Sequence, residues 1–345
     1  MLIRNSEHTL QTGLRGLLSR TLFVAFLVVC ASSCGDTVAT PEGTLPVRVD
    51  VDWSGCGESA PSGMTVLFHH QHGGTFSSVI DNNVDHVSSY LAPGRYWATV
   101  FNLTEREFDN IRFRGLDAAD TAEAYLREAT PSKWYVPGPD DGGYVARQPE
   151  WLAADTIRIA AVMSPASAGG SAGLQVAGTL HPRNITCHLH LLIHTGGIGN
   201  MLSARGALSG LAAGHRLAAD VPNDNSVTVT HLVEADAWKR TASSPDAGTL
   251  EAEITCFGLP AGHGGSPDEN FLIFQALHAD GKTVSNYRIP VGHLIRRIPG
   301  KTSGAPDLSL ELRLDPPLPP APADSGGIDV WFDDWDETLD FNVAV

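Results

Sequence analysis

Two histidines are the residues of this chain whose type and spacing come nearest to a metal site. His188 and His190 stand two positions apart in a strand-like run, 184–194, so their imidazoles are expected on one side of a strand. Neutral imidazoles are zinc ligands. Cys187 and Leu189 take the alternate, inward positions, and no Asp or Glu at a matched spacing completes the set. We therefore predict an exposed strand face and no metal centre, with these two histidines as the candidates to test.

Cysteine chemistry is the second feature to consider. Five cysteines occur in the chain. Cys187 and Cys256 both lie in strand-like runs, so in an oxidising compartment we predict a disulfide between neighbouring strands. Cys56 lies in a Gly-rich turn and is predicted to stay outside that bridge. Cys34 follows small residues near the start of the chain and has a different role, described below.

Catalytic motifs are scarce. Gly169–Gly173 matches the G-x-S-x-G pattern of serine hydrolases, but that pattern needs a strand-to-helix turn. Here a strand-like run, Leu174–Leu180, follows instead. The sequence also has no H-E-x-x-H, phosphate-loop or C-x-x-C motif. We predict that the protein is not an enzyme and uses no cofactor.

The first segment of the chain has the pattern of an export signal. Three arginines precede an apolar stretch, Leu22–Val29, that is too short to cross a bilayer as a helix and ends in small residues. The residues leading into Cys34 resemble a bacterial lipobox, which implies cleavage before this cysteine and acylation of its thiol. Ordinary cleavage near Ser33 is the alternative. The prediction is anchoring in the outer membrane by an N-terminal lipid, with the periplasmic or surface face left open.

The charge of the chain limits its partners. There are 23 Lys and Arg against 39 Asp and Glu, which gives a formal net charge of −16. Nucleic-acid binding depends on basic side chains that displace counterions from phosphates. We therefore expect that the protein does not bind nucleic acid.

Strand patterns dominate the local sequence. Val47, Val49 and Val51 alternate with polar residues, which is typical of a strand with one buried face. Asp280-Gly281 separates the runs Phe271–Ala279 and Thr283–Val291 and predicts a hairpin with a type I′ turn. We therefore predict an all-β fold made of two tandem β-sandwiches.

One segment instead favours a helix. The run Ala122–Ala129 is rich in Ala, Glu and Leu, Asp120 or Thr121 can cap it, and Pro131 ends it. The prediction is one short helix in the first sandwich. The following segment, Pro137–Gly143, carries Pro, Asp and Gly and is predicted to be an exposed loop.

The predicted domain organisation follows from these elements. We expect a signal peptide at 1–33, a tether at 34–44, sandwiches at 45–155 and 156–314, and a Pro-rich spacer with a C-terminal strand at 315–345. The alternating apolar residues of that strand are Leu339, Phe341, Val343 and Val345. The strand either completes the second sheet of its own chain or adds to the sheet edge of a partner.

Several segments resemble a known family. They are "VRVDVDWS", "LAPGRYWATVFNLTEREFDNIRFRGLDAADTAEAYLR", "QPEWLAADTI" and "GGIDVWFDDW". These segments are similar to a family of Bacteroidales lipoproteins of unassigned function, allied to the FimB-like anchor (minor) subunits of fimbriae. The resemblance implies two transthyretin-like, Greek-key sandwiches, no catalytic residues, and a structural or adhesion role in binding another envelope protein, such as a fimbrial subunit.

A ligand-binding role is the alternative function. Five tryptophans would serve as stacking surfaces for a glycan in a lipid-anchored binding module. They are Trp97, Trp134, Trp151, Trp331 and Trp335. The competing interpretation places them in the sandwich cores.

Overall fold

The computed structural model describes most of the chain after residue 41. The described residues are 42–162, 175–298, 305–320 and 337–342, with short gaps at 58–59, 75, 139–140, 142, 225 and 245. Leu45–Val345 form one compact unit. Strands and short 3-10 turns make up the regular structure of the described residues. None of their helices is long and apolar enough to cross a membrane.

The strands are named here in chain order. The first eleven are β1 Leu45–Val51, β2 Met64–His70, β3 Phe76–Asp81, β4 His86–Leu91, β5 Gly94–Asn102, β6 Ile111–Arg114, β7 Glu123–Leu126, β8 Tyr144–Ala146, β9 Ala153–Ala161, β10 Gln175–Leu180 and β11 Arg183–Asn184. The others are β12 Cys187–Gly196, β13 Met201–Ala212, β14 Gly214–Arg216, β15 Val221–Pro222, β16 Thr228–Val233, β17 Lys239–Ser244, β18 Ala247–Cys256, β19 Phe271–His278, β20 Thr283–Pro290, β21 Arg296–Arg297, β22 Leu308–Arg313 and β23 Glu337–Asn342. The 3-10 turns are Trp53–Cys56, Ile198–Asn200, Ala235–Ala237, Pro267–Glu269 and Gly292–Leu294.

The first sandwich packs a three-stranded sheet, β10-β1-β4, against a five-stranded sheet, β11-β9-β5-β2-β3. The valines of β1 point into the core, as their alternation predicts. Phe68 from β2 and Val100 from β5 meet them there and are fully buried. The turn between β4 and β5 is held by Tyr96, whose hydroxyl donates a 2.9 Å hydrogen bond to the Ala92 carbonyl. The burial of these apolar side chains between the two sheets is the main stabilising contribution in this sandwich.

The second sandwich packs the sheet β17-β18-β12-β22-β21 against the sheet β23-β20-β19-β13-β16-β8. Leu308, Leu310 and Leu312 of β22 are buried and all point inward. In both sandwiches an early strand pairs in parallel with a late one, β1 with β10 and β12 with β22. Each sandwich is therefore closed by residues far along the chain from its first strand. The predicted all-β, two-sandwich fold is confirmed.

The predicted helix at Ala122–Ala129 is wrong. This segment contains β7, which pairs with β6 and β14 in a four-stranded sheet, β15-β14-β7-β6. Ala122, Ala124 and Leu126 are buried at every second position. Their burial in the core of the second sandwich outweighs the helix propensity of Ala, Glu and Leu, which is worth only a few tenths of a kcal/mol per residue.

The predicted boundary between the sandwiches, after Asp155, falls inside β9. The strands β9, β10 and β11 all pair within the sheets of the first sandwich. Apart from β8, which joins the six-stranded sheet, the strands of the two sheets of the second sandwich follow from β12 onwards. We propose that the division lies between Asn184 and Cys187. Beyond β22, the start of the Pro-rich spacer contacts the second sandwich, since Leu318 is buried and its backbone N–H donates to the Gly196 carbonyl.

Candidate partner-binding edge

The C-terminal strand forms one edge of the six-stranded sheet. β23 pairs in parallel with β20, and the register places Leu339 beside Ser285 and Phe341 beside Tyr287. Val343 and Val345 lie outside the described residues. Among the described strands, β23 is the last of its sheet, and its neighbour in that sheet is β20. The C-terminal strand thus completes a sheet of its own chain here, and its role with a partner stays a proposal.

The strand next to β23 carries an ion pair whose carboxylate is buried. Arg288 of β20 lies 2.5 Å, Nη1 to Oδ1, from Asp141, whose side chain is almost fully buried. The other carboxylate oxygen of Asp141 accepts hydrogen bonds from the Tyr135 hydroxyl and the Gly138 backbone N–H. Arg288 also lies 4.1 Å from the centre of the Phe271 ring. These contacts join β20 to the segment that contains Tyr135 and Asp141 and to the Phe271 ring of β19.

Asp141 is a residue that sequence reasoning missed. It lies in the segment Pro137–Gly143, which was predicted to be an exposed loop, but it is buried. Pro, Asp and Gly in a row are typical of solvent-exposed turns, and nothing in that pattern indicates a distant arginine. Burial raises the pKa of the neighbouring Tyr135, which keeps its hydroxyl protonated and able to donate to Asp141.

The two cysteines of the predicted disulfide are direct partners across neighbouring strands. Cys187 of β12 is paired with Cys256 of β18, and both are buried. Their sulfur atoms lie 3.8 Å apart and are not covalently bonded to each other. The disulfide stays a prediction, which counting thiols in denatured, unreduced protein would check. Cys56, expected in a turn, ends the 3-10 turn Trp53–Cys56 and donates from Sγ to the Pro182 carbonyl at 3.1 Å.

The candidate metal residues lie on the outward face of β12. The side chains of His188 and His190 are about half exposed, and the alternate residues are buried. Their Nδ1 atoms lie 3.1 and 3.2 Å from the two carboxylate oxygens of Glu253, which the sequence places 63 positions after His190. Among the described residues, no group of three or more His, Cys, Asp or Glu side chains is placed to hold a metal ion.

A cavity of about 300 Å³ lies where the first sandwich, the four-stranded sheet and the second sandwich meet. His215 and Phe257 line it, together with Arg183, Asp220 and Arg297. The Nε2 atom of His215 lies 3.3 Å from Asp220 Oδ1, and Asp220 forms an ion pair with Arg183. Burial lowers the pKa of His215 to about 4, so the ring is neutral near pH 7. No periodicity or motif in the sequence indicates this group.

The tryptophans do not share one surface in the described part of the chain. Trp97 faces the guanidinium of Arg158 at 4.3 Å. Trp134 faces Arg205 at 4.9 Å, and Trp151 donates from its indole nitrogen to Asn184. Each of these tryptophans thus has its own neighbours. Trp331 and Trp335 lie outside the described residues, as do Cys34 and the G-x-S-x-G segment.

The geometry defines a class of protein: an all-β chain of two packed sandwiches, one of which ends in a parallel edge strand. The chain belongs to the DUF5119 family, described as a domain of unknown function, whose model matches residues 36–232. This range contains most of the segments on which the predicted resemblance rests, and the resemblance to a family of unassigned function is confirmed. No curated protein matches the chain significantly.

Solved structures are similar to this fold. A candidate adhesin from Bacteroides ovatus has a TM-score of 0.52 and 18% identity, over 80% of this chain and 94% of that one. The fimbrial anchor protein Mfa2 from Porphyromonas gingivalis has a TM-score of 0.40 and 14% identity, over 67% of this chain and 77% of that one. The first of these similarities supports the all-β sandwich fold.

Proposed function

We propose that this protein is a lipid-anchored, non-catalytic subunit of the cell envelope that holds another envelope protein. The binding site is the side of β20 (Thr283–Pro290) that pairs with β23, called the β20 edge below. The family resemblance and the fold shared with a candidate adhesin support a structural or adhesion role. Acylation of Cys34 would keep the sandwiches at the outer membrane. The partner is an envelope protein, such as a fimbrial subunit, that contributes a β-strand.

The parallel pairing of β23 with β20 is the observation that carries this proposal. β23 is joined to β22 only through residues 314–336, and it is the outermost strand of its sheet. A strand from another protein that took its place would form hydrogen bonds with the same backbone N–H and C=O groups along this edge of β20. Antiparallel pairing is slightly more stable per residue than parallel pairing, so a partner strand in the antiparallel direction would compete well.

A tethered variant tests whether β23 must leave. Asn286 and Asp340 are register partners between β20 and β23, and Asn286 is also the partner of Gln275 on β19. Asn286→Cys with Asp340→Cys would lock β23 in place when oxidised. Asn286→Cys with Gln275→Cys is the matched control, since it shares one substitution and leaves β23 untethered.

The readout is the set of envelope proteins that purify with each variant from its own membranes. We expect the wild type and the control to retain the same partner. The oxidised lock should lose that partner and regain it after reduction, with mass spectrometry confirming the intended bridge. Equal capture by the oxidised lock would contradict strand exchange.

A peptide experiment tests the edge without knowledge of the partner. A chain that ends at residue 336 lacks β23 and should bind a labelled peptide of residues 337–345. A scrambled peptide of the same composition is the control. Equal binding of both peptides would show that the edge has no strand specificity.

The lipid anchor has its own test. Mass spectrometry of the mature N-terminus should find acyl chains on Cys34, and Cys34→Ser should release the protein from the membrane fraction. An unmodified thiol at this position would contradict the anchor and leave the β20 edge as a separate question.

A further inference from the structure

A second surface feature is a polar cavity at the opposite edge of the sheet that carries β23. The cavity has a volume of about 490 Å³ and is bordered by the residues next to β6, β7 and β8. Arg112, Arg127 and Arg147 line it, together with Asp109 and Glu128. β8 and β23 are the two end strands of the six-stranded sheet, so the cavity is separate from the β20 edge.

The charge of this cavity is unusual for the chain. Acidic residues outnumber basic ones by 39 to 23 overall, whereas the cavity has three guanidinium groups and two carboxylates. Within the described residues, no ion pair involves any of the three arginines, whereas five other arginines do form ion pairs. Among the described residues, the positive charge of Arg112, Arg127 and Arg147 is therefore not neutralised by an ion pair.

Hydrogen bonds between side chains and the backbone fix the walls of the cavity. Arg112 donates from Nη1 to the carbonyl oxygens of Phe108 and Ile111 at 2.7 and 2.8 Å. The Oε1 atom of Glu150 accepts hydrogen bonds from the backbone N–H groups of Asp109 and Asn110. One guanidinium group and one wall are thus positioned before any ligand arrives, which lowers the entropic cost of binding.

The lining indicates the chemistry of the ligand. A guanidinium group presents a planar set of donors that matches carboxylate and sulfate oxygens. The cavity lies within the roughly 300–1,000 Å³ of small-molecule sites, but it is lined by polar side chains and the small Ala129, with no aromatic or long aliphatic residue. A hydroxyl-rich anion fits such a lining better than a fatty or aromatic acid.

We propose that this arginine cavity binds an acidic saccharide, a sugar chain that carries carboxylate or sulfate groups. The site goes beyond the partner-binding role of the β20 edge and does not depend on it. It gives the protein a second means of contact, with a glycan in place of a protein strand. The anionic groups of the sugar contact Arg127 and Arg147, and Arg112 is the fixed guanidinium group between the cavity walls.

Calorimetric titration of the full chain tests the site. The probes are trigalacturonate, which carries carboxylates, and a heparin-derived tetrasaccharide, which carries sulfates as well. Maltotriose is the neutral control. We expect binding of at least one acidic probe, weakened by added salt, and no binding of maltotriose.

Arginine variants assign the binding to this cavity. Arg127→Ala and Arg147→Ala remove exposed guanidinium groups, and each should weaken binding about tenfold, as expected for a lost charge-assisted hydrogen bond. Arg114→Ala is the matched control. Arg114 lies two residues from Arg112 on β6, but it is paired with Glu123 and lies over the Tyr125 ring. Its loss should leave binding unchanged.

Three results would overturn the proposal. They are no binding of either acidic probe at millimolar concentration, equal binding of maltotriose, and full affinity in the Arg127→Ala/Arg147→Ala double variant. All three are independent of the strand-exchange experiments, so a failure here leaves the β20 edge untouched.

Discussion

A buried histidine makes the folding stability of this protein depend on pH. His231 of β16 is fully buried, and its Nδ1 lies 3.1 Å from the Ala146 carbonyl of β8. Burial lowers the pKa of His231 to about 4, against 6.5 for an exposed histidine. Between these two values the unfolded chain takes up a proton that the folded chain does not. Folding stability from this residue is therefore fully present above pH 6.5 and falls as the pH drops towards 4.

The first prediction concerns this residue. His231→Asn keeps a donor for the Ala146 carbonyl and removes the titrating group. We expect the variant to lose less stability than the wild type between pH 7 and pH 4.5, with a difference of up to roughly 3 kcal/mol. Urea unfolding at both pH values measures the change, and the comparison is unaffected by any constant loss at neutral pH. Parallel pH profiles would contradict the assignment.

The hairpin of β19 and β20 forms as predicted, but its turn is of a different type. β19 and β20 pair in antiparallel, so the predicted hairpin is confirmed. The type I′ turn is wrong, because only Gly281, with φ +70°, has a left-handed backbone there and Asp280 does not. Instead, Asp280 Oδ1 accepts hydrogen bonds from the backbone N–H groups of Lys282 and Thr283, both at 3.0 Å. The aspartate side chain thus organises a turn that the dipeptide alone assigns to another type.

The second prediction concerns this turn. No atom lies within 4 Å of a Cβ added at Gly281, so the cost of a side chain there is the cost of the backbone conformation alone. Gly281→Ala should lower the free energy of unfolding by about 1 kcal/mol, and Gly281→Asn by less, since Asn tolerates this conformation better. Denaturant titrations of the two variants provide the measurement. Equal losses would show that the left-handed backbone does not decide the stability of the turn.

At the scale of the whole molecule, closure of each sandwich depends on residues far apart in the chain. β1 pairs in parallel with β10, so the first sandwich is incomplete without residues beyond 155. The two cores also meet, because Leu67 and Phe101 from the first sandwich belong to the core cluster of the second. The first sandwich is therefore stabilised by its neighbour as well as by its own sheets.

The third prediction follows from this closure. A fragment of residues 42–184 should unfold cooperatively on heating, at a lower temperature than the full chain. A fragment of residues 42–155 lacks β10 and most of β9 and should show no cooperative transition. Circular dichroism during heating distinguishes them. A cooperative transition in the shorter fragment would place the division near the boundary predicted from the sequence.

Local sequence patterns were enough to predict the all-β class of the fold and many of its strands. The alternation in β1 and the β19–β20 hairpin are local patterns, and a period of two residues directly sets which side chains are buried. The outward position of His188 and His190 followed from the same periodicity. The segment of β7 was mistaken for a helix because its residues have helix propensity, and only their burial against other strands decides between the two.

Contacts between residues far apart in the chain became visible only in the folded molecule. The pairing of Asp141 with Arg288, the placement of Glu253 beside two histidines and the gathering of three arginines in one cavity join positions that no local pattern connects. The parallel pairing of β23 with β20 is of the same kind. The sequence of a strand specifies which of its faces is buried. It does not specify the neighbouring strand, because every strand offers backbone N–H and C=O groups for pairing, and the packing of the whole core selects the neighbour.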